Sequence, residues 1–190
     1  MTKRLSKDDW LVFAFRELAR EGHQGLSASR MAARLQVSRG SFYWHFDNVE
    51  NFETAVLERW QQQATANIIG EMESIAAPRE RLARLIRSSM SAKATLERAI
   101  RCWSYDSARV AEFVAAVDQQ RIAYVESLLR ALGARSRDSK LRAQLLYWAS
   151  LGRMMAPASG QGVKQGYAGA LDEKKLIELC TAQAAPGHRS

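Results

Sequence analysis

Cysteine, proline and long apolar runs are all scarce in this 190-residue chain, and each scarcity excludes a class of structure. Cys102 and Cys180 stand singly and far apart, so neither a disulfide framework nor a Cys-x-x-Cys metal or redox motif is available, and no metal site or cofactor is expected. Three prolines, set against abundant Ala, Leu, Arg and Glu and no repeated Asn-Gly or Asp-Gly turn signals, argue against hairpins and an all-β fold. The longest mainly apolar stretch, Leu145 to Leu151, falls well short of the roughly 20 residues of a membrane helix. The start, Met1-Thr2-Lys3-Arg4-Leu5-Ser6, lacks the apolar segment of a secretory signal, so a cytoplasmic protein without membrane partners is expected. The net charge of +8 is spread thinly, with +2 over residues 1–50 and +6 over 51–190. Charge favours meeting a polyanion, yet a basic enzyme would show the same balance.

Helical periodicity is what the chain has in plenty. Leu11, Ala14, Phe15, Leu18 and Ala19 recur at the spacing of one buried helix face, which predicts a first helix near 7–21. Ser6 with Asp9 resembles a capping box at its start, and Gly22 with Gly25 closes it. A second helix begins after Ser27 and runs to Leu35; Gln36-Val37 forms a short turn; Ser38 caps a third from Arg39 to His45. A fourth opens at an Asp47 cap with Glu50 three residues on and continues toward Glu71. Five more follow: one after Pro78, one from Thr95, a long one from Asp106 or Ser107 to Gly133, one from Asp138, and a last over 171–182. The predicted class is all-α with about nine helices.

The two short helices about Gln36-Val37 read as a helix-turn-helix, in which the first braces the second so that its leading side chains enter a major groove. Met31, Leu35, Val37, Phe42 and Phe46 supply an apolar seat, while Ser38, Arg39, Ser41, Tyr43 and His45 remain for outside contacts. An arginine reads a guanine edge with two parallel N–H groups, and hydroxyls and imidazole suit phosphate oxygens. Trp44 is expected beside Phe46 as a core or staple residue.

The segments Leu26-Ser27-Ala28-Ser29-Arg30-Met31-Ala32-Ala33-Arg34-Leu35 and Val37-Ser38-Arg39-Gly40-Ser41-Phe42-Tyr43-Trp44-His45-Phe46 resemble the DNA-binding signature of the tetracycline-repressor (TetR) family of bacterial transcriptional regulators. The likeness covers roughly residues 7–60. It implies a three-helix DNA-binding head (residues 1–48) and a larger helical effector-binding and dimerisation domain (49–190). By the resemblance Ser27 touches a phosphate, Arg39, Gly40 and Ser41 approach bases and backbone, and Tyr43 and His45 clamp phosphates. Two departures stand out: Gln36 occupies a turn position that is often Gly in the family, and Val49 one that is often Lys. Lys3, Arg4 and Lys7 are the basic residues that an N-terminal arm would bring to phosphates in its place.

A regulator of this kind implies a homodimer on palindromic double-stranded operator DNA and a small-molecule effector that favours the non-binding state, acting as a repressor. Leu145, Leu146, Leu151, Leu176 and Leu179 on the last two helices are candidates for the interface. Cys102, Trp103, Tyr105, Phe113, Tyr147, Trp148, Met154 and Met155 are candidates for lining an effector pocket. Two other readings compete: a helix-turn-helix adapter that binds only protein, and a thiol-dependent enzyme. The latter would need Cys102 as nucleophile or the scattered His23, His45 and His188 as bases. No Gly-x-Ser-x-Gly, phosphate loop or His-Glu-x-x-His motif accompanies them, so no catalytic residue is assigned and the chain is not expected to be an enzyme.

Overall fold

A computed structural model describes residues 5–91, 94–156 and 173–181. Among these residues there is no strand. The helices are α1 (Lys7–Glu21), α2 (Ala28–Leu35), α3 (Arg39–Tyr43), α4 (Val49–Gln61), α5 (Asn67–Glu73), α6 (Pro78–Ser91), α7 (Thr95–Asp106), α8 (Ala108–Ala131), α9 (Ser136–Met155) and α10 (Glu173–Thr181). A π-helical turn, Gln62–Ala66, joins α4 to α5 in one continuous run, so the described residues form nine helical rods, as the periodicity predicts. None of these helices is long and apolar enough to cross a membrane.

Helix ends follow local chemistry. Asp9 N–H donates to Ser6 Oγ at 3.1 Å and Ser6 N–H donates to Asp9 Oδ2 at 2.8 Å, closing the capping box at α1. Ser27 Oγ accepts from Arg30 N–H at the start of α2, and Ser107 Oγ accepts from Val110 N–H at the start of α8. The cap of α4 is Asn48 rather than Asp47: its side-chain oxygen accepts from Asn51 N–H at 2.8 Å, and the neutral amide does this as well as a carboxylate. Ser38 occupies the N-cap of α3 without a side-chain capping bond, and α3 stops at Tyr43, two residues before the expected His45.

At the end of α2, Gln36 adopts the left-handed conformation, with φ 57° and ψ 40°. Its N–H donates to Ala33 O and Val37 N–H donates to Ala32 O, the paired bonds that also end α8 at Gly133. Glycine enters that region freely, whereas a side chain costs energy there. Gln36→Gly is therefore expected to raise the unfolding free energy by about 1 kcal/mol, read as a later urea midpoint with an unchanged slope. An unmoved or earlier midpoint would show that the glutamine side chain compensates the strain.

Contacts divide the chain into two compact units, residues 1–67 with 94–117 and residues 68–93 with 118–190. This division differs from the 48/49 boundary because α4 contributes Phe52, Val56 and Trp60 to the same core as α1 to α3, and α7 adds Ile100 and Trp103. That core centres on Phe42, whose ring meets Trp10 edge-on at 5.4 Å, Phe46 at 5.2 Å and Phe52 at 5.1 Å. Glu97, buried on α7, accepts from Trp60 Nε1–H at 3.2 Å and Arg101 Nε–H at 2.9 Å, so its charge is met where water is excluded.

The second unit packs Leu82, Ile86, Leu128, Leu129, Ala143, Leu146 and Ile177. Arg142 Nη1 donates to the Cys180 carbonyl at 2.8 Å, tying α9 to α10. The Cys180 thiol is itself buried, and burial pushes its pKa up. On α9, Leu141, Leu145 and Trp148, at i, i+4 and i+7, form an outward apolar stripe opposite the buried Ala143 and Leu146.

Candidate nucleic-acid interface

Position 42 faces the core, and α3 turns its other sides outward. Arg39, Gly40 and Tyr43 are exposed and Ser41 is half-buried. Arg39 Nη2 donates to Tyr43 Oη at 2.9 Å, and the guanidinium carbon lies 5.4 Å from the Tyr43 ring centroid. A Cβ added at Gly40 would meet nothing nearer than Ser38 Oγ at 3.7 Å, so the fold leaves room for a side chain there. Its absence shortens the approach of any external group to the backbone.

α2 is held on α1 by charge. Buried Glu17 accepts from Arg34 and, at 3.2 Å, from Arg20, while Arg30 Nη1 donates to Glu21 at 3.2 Å. A hydrogen bond from Arg20 is the main cause that lowers the Glu21 pKa. These contacts fasten α2 to α1, and Glu17, lying among the apolar Ala14 and Leu18 of α1, was the available signal for them in the sequence.

Ser27 is exposed at the start of α2. His45 is half-buried, with Nε2 2.7 Å from the Leu5 carbonyl; a carbonyl only accepts, so the ring donates from Nε2 and fastens the entry to α1. Lys3 and Arg4 lie outside the described residues. Trp44 does not join the core: it is 71% exposed, because two residues turn a helix by about 200° and thus carry it away from the face shared by Phe42 and Phe46. Beside His45 lies a cavity of about 460 Å³ lined in part by Lys7, Asp47, Glu50 and Glu58. Its acids set like charge against any phosphate brought there. Arg109 of α8 braces α4 by donating to Glu53 and, at 2.9 Å, to Thr54 Oγ1. Burial raises the Glu53 pKa, with Arg109 opposing.

The remaining candidates are dispersed. Cys102, Trp103, Tyr105 and Phe113 fall in the first unit. Trp103 is buried and stacks on His23 at 6.1 Å, Phe113 packs on the head's core, Cys102 is exposed and Tyr105 is 86% exposed. Tyr147, Trp148, Met154 and Met155 fall in the second unit. Tyr147 Oη donates to Asp118, the methionines are half-buried, and Trp148 is 61% exposed. Of the interface candidates, Leu146 is buried, Leu151 and Leu176 are half-buried, and Leu145 and Leu179 are 57% and 73% exposed. Among the described residues no group of three or more His, Cys, Asp or Glu is arranged to hold a metal.

Residues 11–52 match the family model for bacterial regulatory proteins, tetR family. No curated protein matches the chain. Solved structures with a similar fold include AibR in complex with isovaleryl coenzyme A and operator DNA (16% identity, TM-score 0.65, 92% of this chain and 95% of that one). Others are the reduced form of NemR from E. coli (20%, 0.65, 77% and 84%) and a TetR-like transcriptional regulator from Rhodococcus sp. RHA1 (16%, 0.62, 94% and 94%). The described residues thus share the all-α fold of these solved structures, and the match to the family model is carried by residues 11–52.

Proposed function

We propose that the protein is a homodimeric, sequence-specific DNA-binding transcriptional regulator of the cytoplasm, a repressor released from a palindromic operator by a small-molecule effector. The observation that carries this reading is the exposed Arg39–Tyr43 face of α3, backed by the buried Phe42. A rigid seat behind a short helix with donors outward is what groove reading requires. Ser27, Ser38, Gly40 and Ser41 offer further hydroxyl and backbone donors at the same end of the head, and Lys3 and Arg4 add charge to its arm. AibR, similar in fold, is described with both an acyl coenzyme A and operator DNA, which supports the two kinds of partner.

Residues 1–48 would read DNA, and 49–190 would bind the effector and pair the subunits. The outward stripe of Leu141, Leu145 and Trp148 supports a second copy against α9. For the effector, half-buried Tyr147, Met154 and Met155 offer a polar handle and adaptable apolar atoms. The reading assigns the chain no reaction.

Selection of bound duplexes from a random pool tests this function. The expected product is an inverted repeat with half-site centres one helical turn, about 34–36 Å, apart. Recovery of no common sequence would overturn the reading and leave the protein-binding adapter.

A further inference from the structure

We infer that Tyr43 is a positioning residue: its hydroxyl holds the Arg39 guanidinium in place to read one guanine in each operator half-site. The inference rests on the DNA-binding reading and deepens it, since the resemblance gives Tyr43 only a phosphate. Three observations connect the core to the base-reading group. Phe42 is fully buried, wedged between Trp10, Phe46 and Phe52. The Tyr43 ring stands edge-on to Phe42 at 5.2 Å and 84°, which limits where its hydroxyl can sit. The hydroxyl accepts from Arg39 Nη2 at 2.9 Å, and the guanidinium lies 5.4 Å from the same ring's centroid.

A free arginine on a helix surface samples many rotamers, and ordering it on a base weakens binding; an arginine already held loses less. The donor count permits both contacts. Nη2 carries two hydrogens, so one given to Tyr43 leaves a complete two-pronged edge, either Nη1 with Nη2 or Nε with Nη2, for the O6 and N7 acceptors of guanine. The tyrosine proton is not used in this bond and remains available to a phosphate oxygen. One phenol would then couple backbone register to base identity.

The test measures affinity for the selected operator and for duplexes changed singly at each half-site position, across a salt series. It uses the full-length parent, Arg39→Ala, Tyr43→Phe and the double variant. Tyr43→Phe keeps the ring and its packing on Phe42 and removes only the hydroxyl. In the parent, one guanine per half-site is expected to be preferred roughly five- to a hundredfold. Arg39→Ala should abolish that preference. Tyr43→Phe should reduce it severalfold at the same position while other positions keep theirs, and the double variant should discriminate no less than Arg39→Ala alone. Uniform weakening by Tyr43→Phe with the guanine preference intact would overturn the inference and leave a phosphate contact. So would an Arg39→Ala protein that still prefers the guanine. A parent that selects no operator at all would instead bring down the DNA-binding reading itself.

Discussion

Phe42→Ala is expected to lower the unfolding free energy by about 3–5 kcal/mol, the largest single loss foreseen for the head. The side chain is fully buried and touches aromatic rings from α1, α4 and its own neighbourhood, so truncation loses transfer free energy and leaves a cavity between stiff rings. Rings of this size cannot collapse inward as aliphatic chains do, which puts the site toward the upper part of that range. Urea unfolding of the full chain reads the change, and Phe42→Leu should cost much less because most of the volume is kept. A loss below about 1 kcal/mol for alanine would mean that α3 is not seated on this core at all. Operator affinity should fall with stability in the alanine variant, since Tyr43 and Arg39 are positioned through the same ring.

The second large effect concerns assembly. Leu145→Glu places a charge in the centre of the outward stripe on α9, at a position 57% exposed, so the monomer fold should change by no more than about 0.5 kcal/mol. If that stripe joins two copies, a buried unpaired carboxylate at the contact should separate them. Two heads held together engage successive half-sites with an effective concentration in the millimolar range, and losing that linkage costs about 10²- to 10⁴-fold in affinity. The expected result is therefore a monomer by sedimentation that keeps its helical content and binds a full operator no better than a single half-site. A variant that remains dimeric would move the interface elsewhere, and a monomeric variant with parental affinity would remove pairing from the function.

What the sequence disclosed is mostly what depends on neighbours along the chain. The Ser6 capping box, the Ser27 cap and the Gly133 stop each need only a few consecutive residues, and the heptad-like recurrence of apolar side chains sufficed for the all-α class. The left-handed residue at the turn was also foreseeable as a cost, because Gln36 stands where glycine would be free. Trp44 shows the limit of residue type as a guide: the indole is apolar, but its angle on a helix that ends at Tyr43 sends it to solvent.

Other features had no one-dimensional sign. The π turn at Gln62–Ala66 adds a residue to one helical turn, which a 3.6-residue period smooths over. Burial of Glu17 and Glu97 is decided by arginines and a tryptophan from other helices, and His45 meets the Leu5 carbonyl forty positions away. The sequence by itself thus determined the helices, their caps and the kind of side chain that α3 exposes, because those depend on local sterics and hydrogen bonding. The tertiary structure alone decided that Arg39 is already held by Tyr43, that α4 and α7 share the head's core, and that Leu145 faces outward while Leu146 does not, because each depends on which surfaces exclude water together.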